Sequence, residues 1–205
     1  MGSPFPDDLT DRFHDHYRRQ TKGEGPPRVY WLGCEALKCP MDLWIYQEII
    51  YKLQPRYIIE GGTATGGSAL FMATVLDVMN YGKVVTIDWD ANDYRPKHPR
   101  IQYVTGNTLD TETAQKVQDI VQGPGYRMLI LDDGHDQDHV HQELKLYTPM
   151  LRAGDYLVVE DTNLGGPLWG LVRFLEENPG RFERDREQER LLLSFNPQGY
   201  WKCVA

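Results

Sequence analysis

Four apolar runs in this chain end on carboxylates. Tyr57 to Ile59 ends on Glu60, Val84 to Ile87 on Asp88, Met128 to Leu131 on Asp132 and Asp133, and Tyr156 to Val159 on Glu160 and Asp161. Ile101 to Thr105 is a fifth run without an acid. The four acid-ended runs are continuous rather than alternating, the pattern of strands buried on both faces. Between the runs lie segments of helical spacing: Pro40 to Leu53, Ser68 to Met79, Thr111 to Val121, Asp138 to Arg152 and Pro167 to Asn178. Pro40 suits a first helical turn. Strands alternating with helices predict an α/β fold whose mostly parallel sheet is covered on both faces. Arg190 to Phe195 and Gly199 to Val204 flank Asn196-Pro197-Gln198 and predict a closing hairpin. Ahead of the first strand, Asp7 to Gln20 reads as a short amphipathic helix and Thr21 to Arg28 as a linker. The expected division is an arm and linker over 1–30 and one domain over 31–205.

A length of 205 residues suits that single domain, and 40% apolar with 25% charged residues is usual for a globular chain. The net charge of −8 points away from nucleic acid and anionic membrane surfaces as partners. No apolar run is as long as a membrane span, and Met1-Gly2-Ser3-Pro4 lacks a signal-peptide core. Cys34, Cys39 and Cys203 are odd in number and without CxxC spacing. Together these predict a cytoplasmic, reducing setting without a disulfide framework. Cys34 and Cys39 have no second pair of matching spacing to complete a zinc site.

The acids define the candidate chemistry. In parallel sheets, ligands sit beyond the carboxyl ends of the strands, where all four acid-ended runs finish. Glu60-Gly61-Gly62-Thr63-Ala64-Thr65-Gly66-Gly67-Ser68 follows the first run as a glycine-rich turn into a helix, a cradle for a cofactor. Asp88 lies 22 residues after Gly66, the spacing at which an acid reaches a ribose diol of a dinucleotide or of an S-adenosyl ligand. Asp132, Glu160 and Asp161 offer oxygens from two strand ends to a hard divalent cation such as Mg2+. Glu160 or Asp161 could instead cap the next helix, in competition with Thr162 and Asn163. His135, three residues past Asp132, can reach the same crevice as a general base. His139 and His141 lie on the next helix, facing solvent or the sheet. His14 and His16, two apart, point to different helix faces and share no metal.

Several of these motifs occur together in one known family. Trp31-Leu32-Gly33, Pro40-Met41-Asp42-Leu43-Trp44-Ile45-Tyr46-Gln47-Glu48, the Glu60–Ala69 turn, Val84–Asp88, Leu131-Asp132-Asp133-Gly134-His135, Val159-Glu160-Asp161-Thr162-Asn163 and Phe195-Asn196-Pro197-Gln198-Gly199-Tyr200 stand in the same order there. From about Trp31 onward the chain resembles the cephalosporin hydroxylase-like branch of S-adenosylmethionine-dependent methyltransferases, which includes sugar O-methyltransferases of macrolide biosynthesis. The resemblance implies a Rossmann-like class I methyltransferase fold, with a seven-stranded sheet whose last strand is antiparallel. It implies that Glu60, Gly62 and Gly66 line the methionyl end of S-adenosylmethionine and Asp88 its ribose. With Thr63, Ser68, Asn107 and Asp132 these make up the expected cofactor-binding set. It also implies Mg2+ on Asp132, Glu160 and Asp161, with His135 as the catalytic base. Ala64 departs from the glycine that many methyltransferase loops carry, and Asp133 stands as an alternative ligand to Asp132. The expected activity is metal-dependent O-methylation of a small metabolite (a sugar, polyol or phenol) in specialised metabolism, by a homo-oligomer. The alternatives are a nicotinamide-dependent oxidoreductase, an iron hydroxylase using His135, His139 and His141, and a non-catalytic partner subunit contacting through the 7–20 arm.

Overall fold

A computed structural model describes residues 9–19 and 28–205. Helix α1 (Leu9–Arg19) precedes a short antiparallel hairpin of β1 (Val29–Trp31) and β2 (Cys34–Ala36). Helix α2 (Pro40–Leu53) leads into the main sheet through Gln54, which takes a left-handed conformation at the helix end. The chain then alternates β3 (Pro55–Gly61), α3 (Gly67–Met79), β4 (Lys83–Asp88), β5 (Ile101–Thr105), α4 (Thr111–Ile120), β6 (Tyr126–Leu131), α5 (Gln137–Tyr147), β7 (Tyr156–Val159) and α6 (Gly166–Glu177). The sheet closes with β8 (Phe182–Arg184) and β9 (Tyr200–Cys203).

The strand order is β5-β4-β3-β6-β7-β9-β8. The first five strands are mutually parallel, and β9 inserts antiparallel between β7 and β8. The last strand in the chain is therefore antiparallel, as expected. Its hairpin partner is not: β8 takes that place, and Arg186–Leu191 is a 3-10 turn. Asp42 explains why 192–195 makes no ladder, because its carboxylate takes the Ser194 hydroxyl at 2.5 Å and the Phe195 N–H at 3.0 Å.

Each face of the sheet carries its own core. Ile58, Val84, Met128, Ile130 and Val158 pack with α2 and α3, while Ile59, Val85, Leu129, Leu157 and Val159 pack with α4, α5 and α6. Alternate residues of one strand serve opposite faces, which is why the runs read as continuous. The β1–β2 hairpin caps the α3 side, with Trp31 edge-on to Phe71 at 4.8 Å and bonded through its indole N–H to Thr74 at 2.9 Å. Successive strands run outward from β3 to β5, and β6 then restarts on the other side of β3. The β3–β6 boundary is thus the topological switch point, where parallel sheets open a crevice at their carboxyl edge.

Candidate active site

At that edge, Asp132 ends β6, and Glu160 and Asp161 end β7. They do not all point the same way. Asp161 has φ +53°, a left-handed conformation uncommon outside glycine. The Asn196 side-chain oxygen stabilises it by accepting the Asp161 N–H at 2.9 Å, and Thr162 anchors the same turn on the Pro197 carbonyl at 2.6 Å. This twist lets two adjacent acids diverge. Asp161 lines the crevice with Asp132, and its carboxylate lies 2.8 Å from His135 Nε2. Glu160 turns inward, only 5% exposed, and its Oε1 accepts from the Tyr46 hydroxyl at 2.6 Å. The expected trio of Asp132, Glu160 and Asp161 is therefore not the one brought together. Asp132, His135 and Asp161 are, with one potential ligand atom each, all within 4.8 Å of one another.

The group that draws Glu160 inward is Lys38, which nothing in the sequence marked out. Its ammonium pairs with Asp132 Oδ2 and, at 2.6 Å, with Glu160 Oε1, and its side chain is 2% exposed. Burial opposes its charge, but the fields of Asp132, Glu160 and Glu60 outweigh that and hold its pKa above the usual lysine value. One ammonium thus faces three carboxylates, Glu60 and Glu160 buried and Asp132 at the crevice wall. Burial likewise raises the carboxyls of Asp132 and Glu160. Such a negative excess calls for a further cation or protons. A divalent cation fits: the crevice-facing pair Asp132 and Asp161, with His135 beside them, would hold it, and Glu160 stands behind. His135 is half-exposed, and its hydrogen bond to Asp161 raises its pKa above the ordinary histidine value.

The crevice itself is a cavity of about 500 Å3 bounded by Gly62, Asp88, Asp132, His135 and Asp161, within the range of cofactor pockets. Of the expected cofactor-binding residues, Gly62, Asp88 and Asp132 line it. Glu60, Thr63, Gly66 and Ser68 are buried outside its lining. Glu60 takes the Thr86 hydroxyl at 2.7 Å, and Thr63 shares a hydrogen bond with Thr86 at 2.7 Å. Asn107 is exposed on the turn after β5, where it caps its own loop through Leu109 N–H at 2.9 Å. The loop glycines answer close packing: a Cβ on Gly62 would lie 2.1 Å from the Asp132 carbonyl oxygen, and one on Gly67 2.0 Å from that of Glu35. Asp88 Oδ2 accepts from the Ala64 N–H at 2.8 Å and from Arg95 at 2.9 Å. Arg95 also reaches the Ala64 carbonyl at 2.8 Å, so it clamps the glycine loop to β4. Trp89, Asp90, Asn92 and Tyr94 complete the wall from the loop after β4. The departure at Ala64 is accommodated with φ +45°.

Elsewhere, His139 faces Asp133, and His141 is bonded to Glu177 at 2.9 Å. Neither joins His135, so no two-histidine iron site forms among the described residues. Of the amphipathic arm expected over Asp7–Gln20, the structure describes α1. There His14 and Tyr17 each meet Phe195 edge-on, with ring centroids 5.3 Å apart, next to the turn that holds Asp161. The expectation for residues 7, 8 and 20 lies outside the described residues, as does most of the predicted linker.

Comparison with known proteins settles the family. The family model described as rhamnosyl O-methyltransferase/CmcI matches residues 27–204. The chain belongs to the rhamnosyl O-methyltransferase/CmcI family. Within that family, a rhamnosyl O-methyltransferase of Mycobacterium leprae (strain TN) is 36% identical over 176 residues, covering 78% of this chain and 76% of the relative. Its counterpart in Mycobacterium bovis (strain BCG / Pasteur 1173P2) is 34% identical over 177 residues, covering 79% and 72%. Among solved structures, CmcI with Mg and S-adenosylmethionine is 20% identical and superposes with a TM-score of 0.72, over 100% of this chain and 89% of CmcI. MycE, a methyltransferase of the mycinamycin biosynthetic pathway in complex with Mg and SAH, is 20% identical, with a TM-score of 0.52 over 86% of this chain and 46% of MycE. At these identities the likeness is one of fold, the Rossmann-like fold of class I methyltransferases that the sheet order displays.

Proposed function

We propose that the protein is an S-adenosylmethionine-dependent O-methyltransferase acting on a hydroxyl of a sugar or similar small polyol, with a divalent cation at the acidic strand ends. The observation that carries this reading is the convergence of Asp132, Asp161 and His135 on one cavity at the switch point. Family membership directs the choice of chemistry. The acid-rich wall of Asp88, Asp90, Asp132, Asp133 and Asp161 suits a sulfonium cofactor and a metal. Asp88 accepts from the Ala64 and Asp90 N–H groups and from Arg95, which leaves about one of a carboxylate's roughly four lone pairs for a ribose hydroxyl. Gly62 and Ala64 bring backbone to the cavity edge.

A bound cation would lower the pKa of a substrate hydroxyl placed on it. His135 accepts that hydroxyl's proton at Nδ1, while Asp161, 2.8 Å from Nε2, orients the ring and favours the charged form that results. Lys38 and Tyr46 hold Glu160, keeping the floor of the site fixed while Asp132 and Asp161 face the substrate. A rigid floor of strand ends aligns the attacking oxygen, the methyl carbon and the sulfur. Trp89 and Tyr94, exposed at the rim, offer aromatic faces to a sugar ring. The nicotinamide alternative leaves Asp132, Asp161 and His135 without a task.

The test is transfer of labelled methyl from S-adenosylmethionine to rhamnosides, other sugars and catechols, with and without Mg2+. Turnover of a hydroxyl substrate that disappears in EDTA is expected. His135→Ala should retain cofactor and metal and lose roughly 10²–10⁴ in rate. Undiminished turnover in excess EDTA would remove the metal from the reading. Tighter binding of NADH than of S-adenosylmethionine would overturn it altogether.

A further inference from the structure

We propose a second cation site beside the crevice, sharing its wall at Asp133, formed by Asp133, His139 and Glu143. Asp133 follows Asp132 and lines the crevice, with its Oδ2 3.4 Å from His139 on α5. His139 and Glu143 stand at i and i+4 on α5 and so share one helix face. The first turn that presents His139 is fixed by Asp136, which accepts the N–H groups of Asp138 at 3.1 Å and of His139 at 2.9 Å. The three side chains offer one ligand atom each within a common 4.8 Å.

The spacing is that of ligands around an ion rather than of direct hydrogen bonds. His139 Nε2 lies 3.4 Å from Asp133 Oδ2 and 3.7 Å from Glu143 Oε2, with the Thr108 hydroxyl in a long contact at 3.5 Å. All three exceed the usual N–H to oxygen separation of about 2.7–3.2 Å. Ligands about 2.0–2.2 Å from a tetrahedral ion stand roughly 3.3–3.6 Å from each other.

Glu143 supplies an independent observation. It is 0% exposed, and neither of its carboxylate oxygens has a hydrogen-bond donor. Its Oε2 is the atom aimed at His139. A buried ionised carboxylate without a donor is costly unless a cation compensates it. Thr108, itself 1% exposed, closes the group by donating to Asp133 Oδ2 at 2.5 Å. One imidazole with two carboxylates is a donor set for Zn2+ or a similar first-row divalent ion rather than for Mg2+, which favours all-oxygen octahedra. Such an ion would staple β6, the turn before α4 and the start of α5 together. The inference shares Asp133 with the crevice wall but uses none of Asp132, His135 or Asp161.

The experiment uses Co2+ as a spectroscopic probe and Zn2+ as the competing ion, on metal-stripped full-length protein. The Asp161→Asn variant weakens the crevice site and leaves the second one intact. Expected results are visible Co2+ bands in Asp161→Asn that Zn2+ displaces, and a rise in Tm of the same variant on adding Zn2+. His139→Gln and Asp133→Asn should each weaken Zn2+ binding at least roughly tenfold, the loss that even an outer-shell partner brings. Two variants are used so that misfolding of one, read by circular dichroism, does not stand for loss of a ligand. If Asp161→Asn shows neither Co2+ bands nor a Zn2+-dependent Tm, His139 is an imidazolium paired with two acids and the site does not exist. Bands that survive in both His139→Gln and Asp133→Asn would equally overturn it.

Discussion

Lys38→Met replaces the buried ammonium with an apolar side chain of similar length. The wild-type charge touches Asp132 and Glu160 at once and is almost fully buried. Removing one partner of a buried ion pair typically costs about 3–5 kcal/mol, because the remaining charges lose compensation without regaining water. Here two carboxylates are stranded, with Glu60 adding to the field, so the upper half of that range applies. Against a total stability of about 5–15 kcal/mol this is a large share. With a urea m-value near 3 kcal/mol/M, the midpoint should fall by about 1–2 M. Circular dichroism in urea, with EDTA present, measures it. Repeating the titration in millimolar Mg2+ should restore part of the loss, since a cation on Asp132 and Asp161 supplies some of the missing charge. A midpoint in EDTA within about 0.3 M of wild type, a loss under about 1 kcal/mol, would refute the reasoning. It would mean that the ammonium is not the counter-charge of these acids.

Three further outcomes follow from particular contacts. Asp42→Ala strands the buried Ser194 hydroxyl, the Phe195 N–H and the Tyr200 hydroxyl; a loss of about 3 kcal/mol or more is expected, together with faster hydrogen exchange over 192–198, and unchanged exchange there would count against it. Gly62→Ala puts a Cβ against the Asp132 carbonyl at φ +91°; overpacking and backbone strain of about 1–3 kcal/mol each should add, and a thermal melt matching wild type would contradict the close approach. The Arg100 guanidinium beside Asp77 holds its carboxyl below the ordinary value, with His98 helping. A depressed carboxyl contributes stability above its unfolded pKa of about 3.9 and loses it as pH falls through the folded value. Because Asp77 is half-exposed, the effect should be a small acid-side slope that vanishes in Asp77→Asn; an identical slope in that variant would assign it to other groups.

The parallel sheet was legible because its strands are buried on both faces, so Ile58-Ile59, Val84-Val85 and Leu129-Ile130 stand as unbroken apolar runs. Asp132, Asp161 and His135 were legible as chemistry at strand ends. The closing hairpin was misplaced for a physical reason. Leu191, Leu192 and Leu193 resemble a strand, yet the Asp42 carboxylate takes their neighbours' donors and leaves no ladder. The true partner, Phe182–Arg184, is three residues long and mostly charged, too brief for periodicity to register. Lys38 was invisible because a single lysine in a connecting segment has no local mark. Only the docking of α2 across the strand ends buries it among acids. Glu160 went astray by the same omission, since its direction is decided by Lys38 and Tyr46, both more than a hundred residues earlier in the chain. Arg95 likewise gains its role as a clamp only when its loop folds back on Ala64 and Asp88.

The turn holding Asp161 is secured by residues encoded far from the start of the site. Asn196 bonds the Asp161 N–H and the Tyr46 hydroxyl, and Tyr200 reaches Asp42, 158 residues away. On a ribosome adding about 5–20 residues each second, roughly 8–30 s separate the synthesis of Asp42 from that of Tyr200. Until residues 194–200 are made, Asp42 lacks these donors, Asp161 lacks the Asn196 contact to its left-handed backbone, and Glu160 lacks part of its support. A nascent chain can therefore form the β3–β6 boundary without forming a place for a cation. On the proposed reading, a cation could be selected only once residues 194–200 are in place, when the completed crevice meets the free metal pool of its surroundings. If the crevice holds a metal as proposed, growth conditions during expression, as much as residue identity, would decide which ion a purified sample carries.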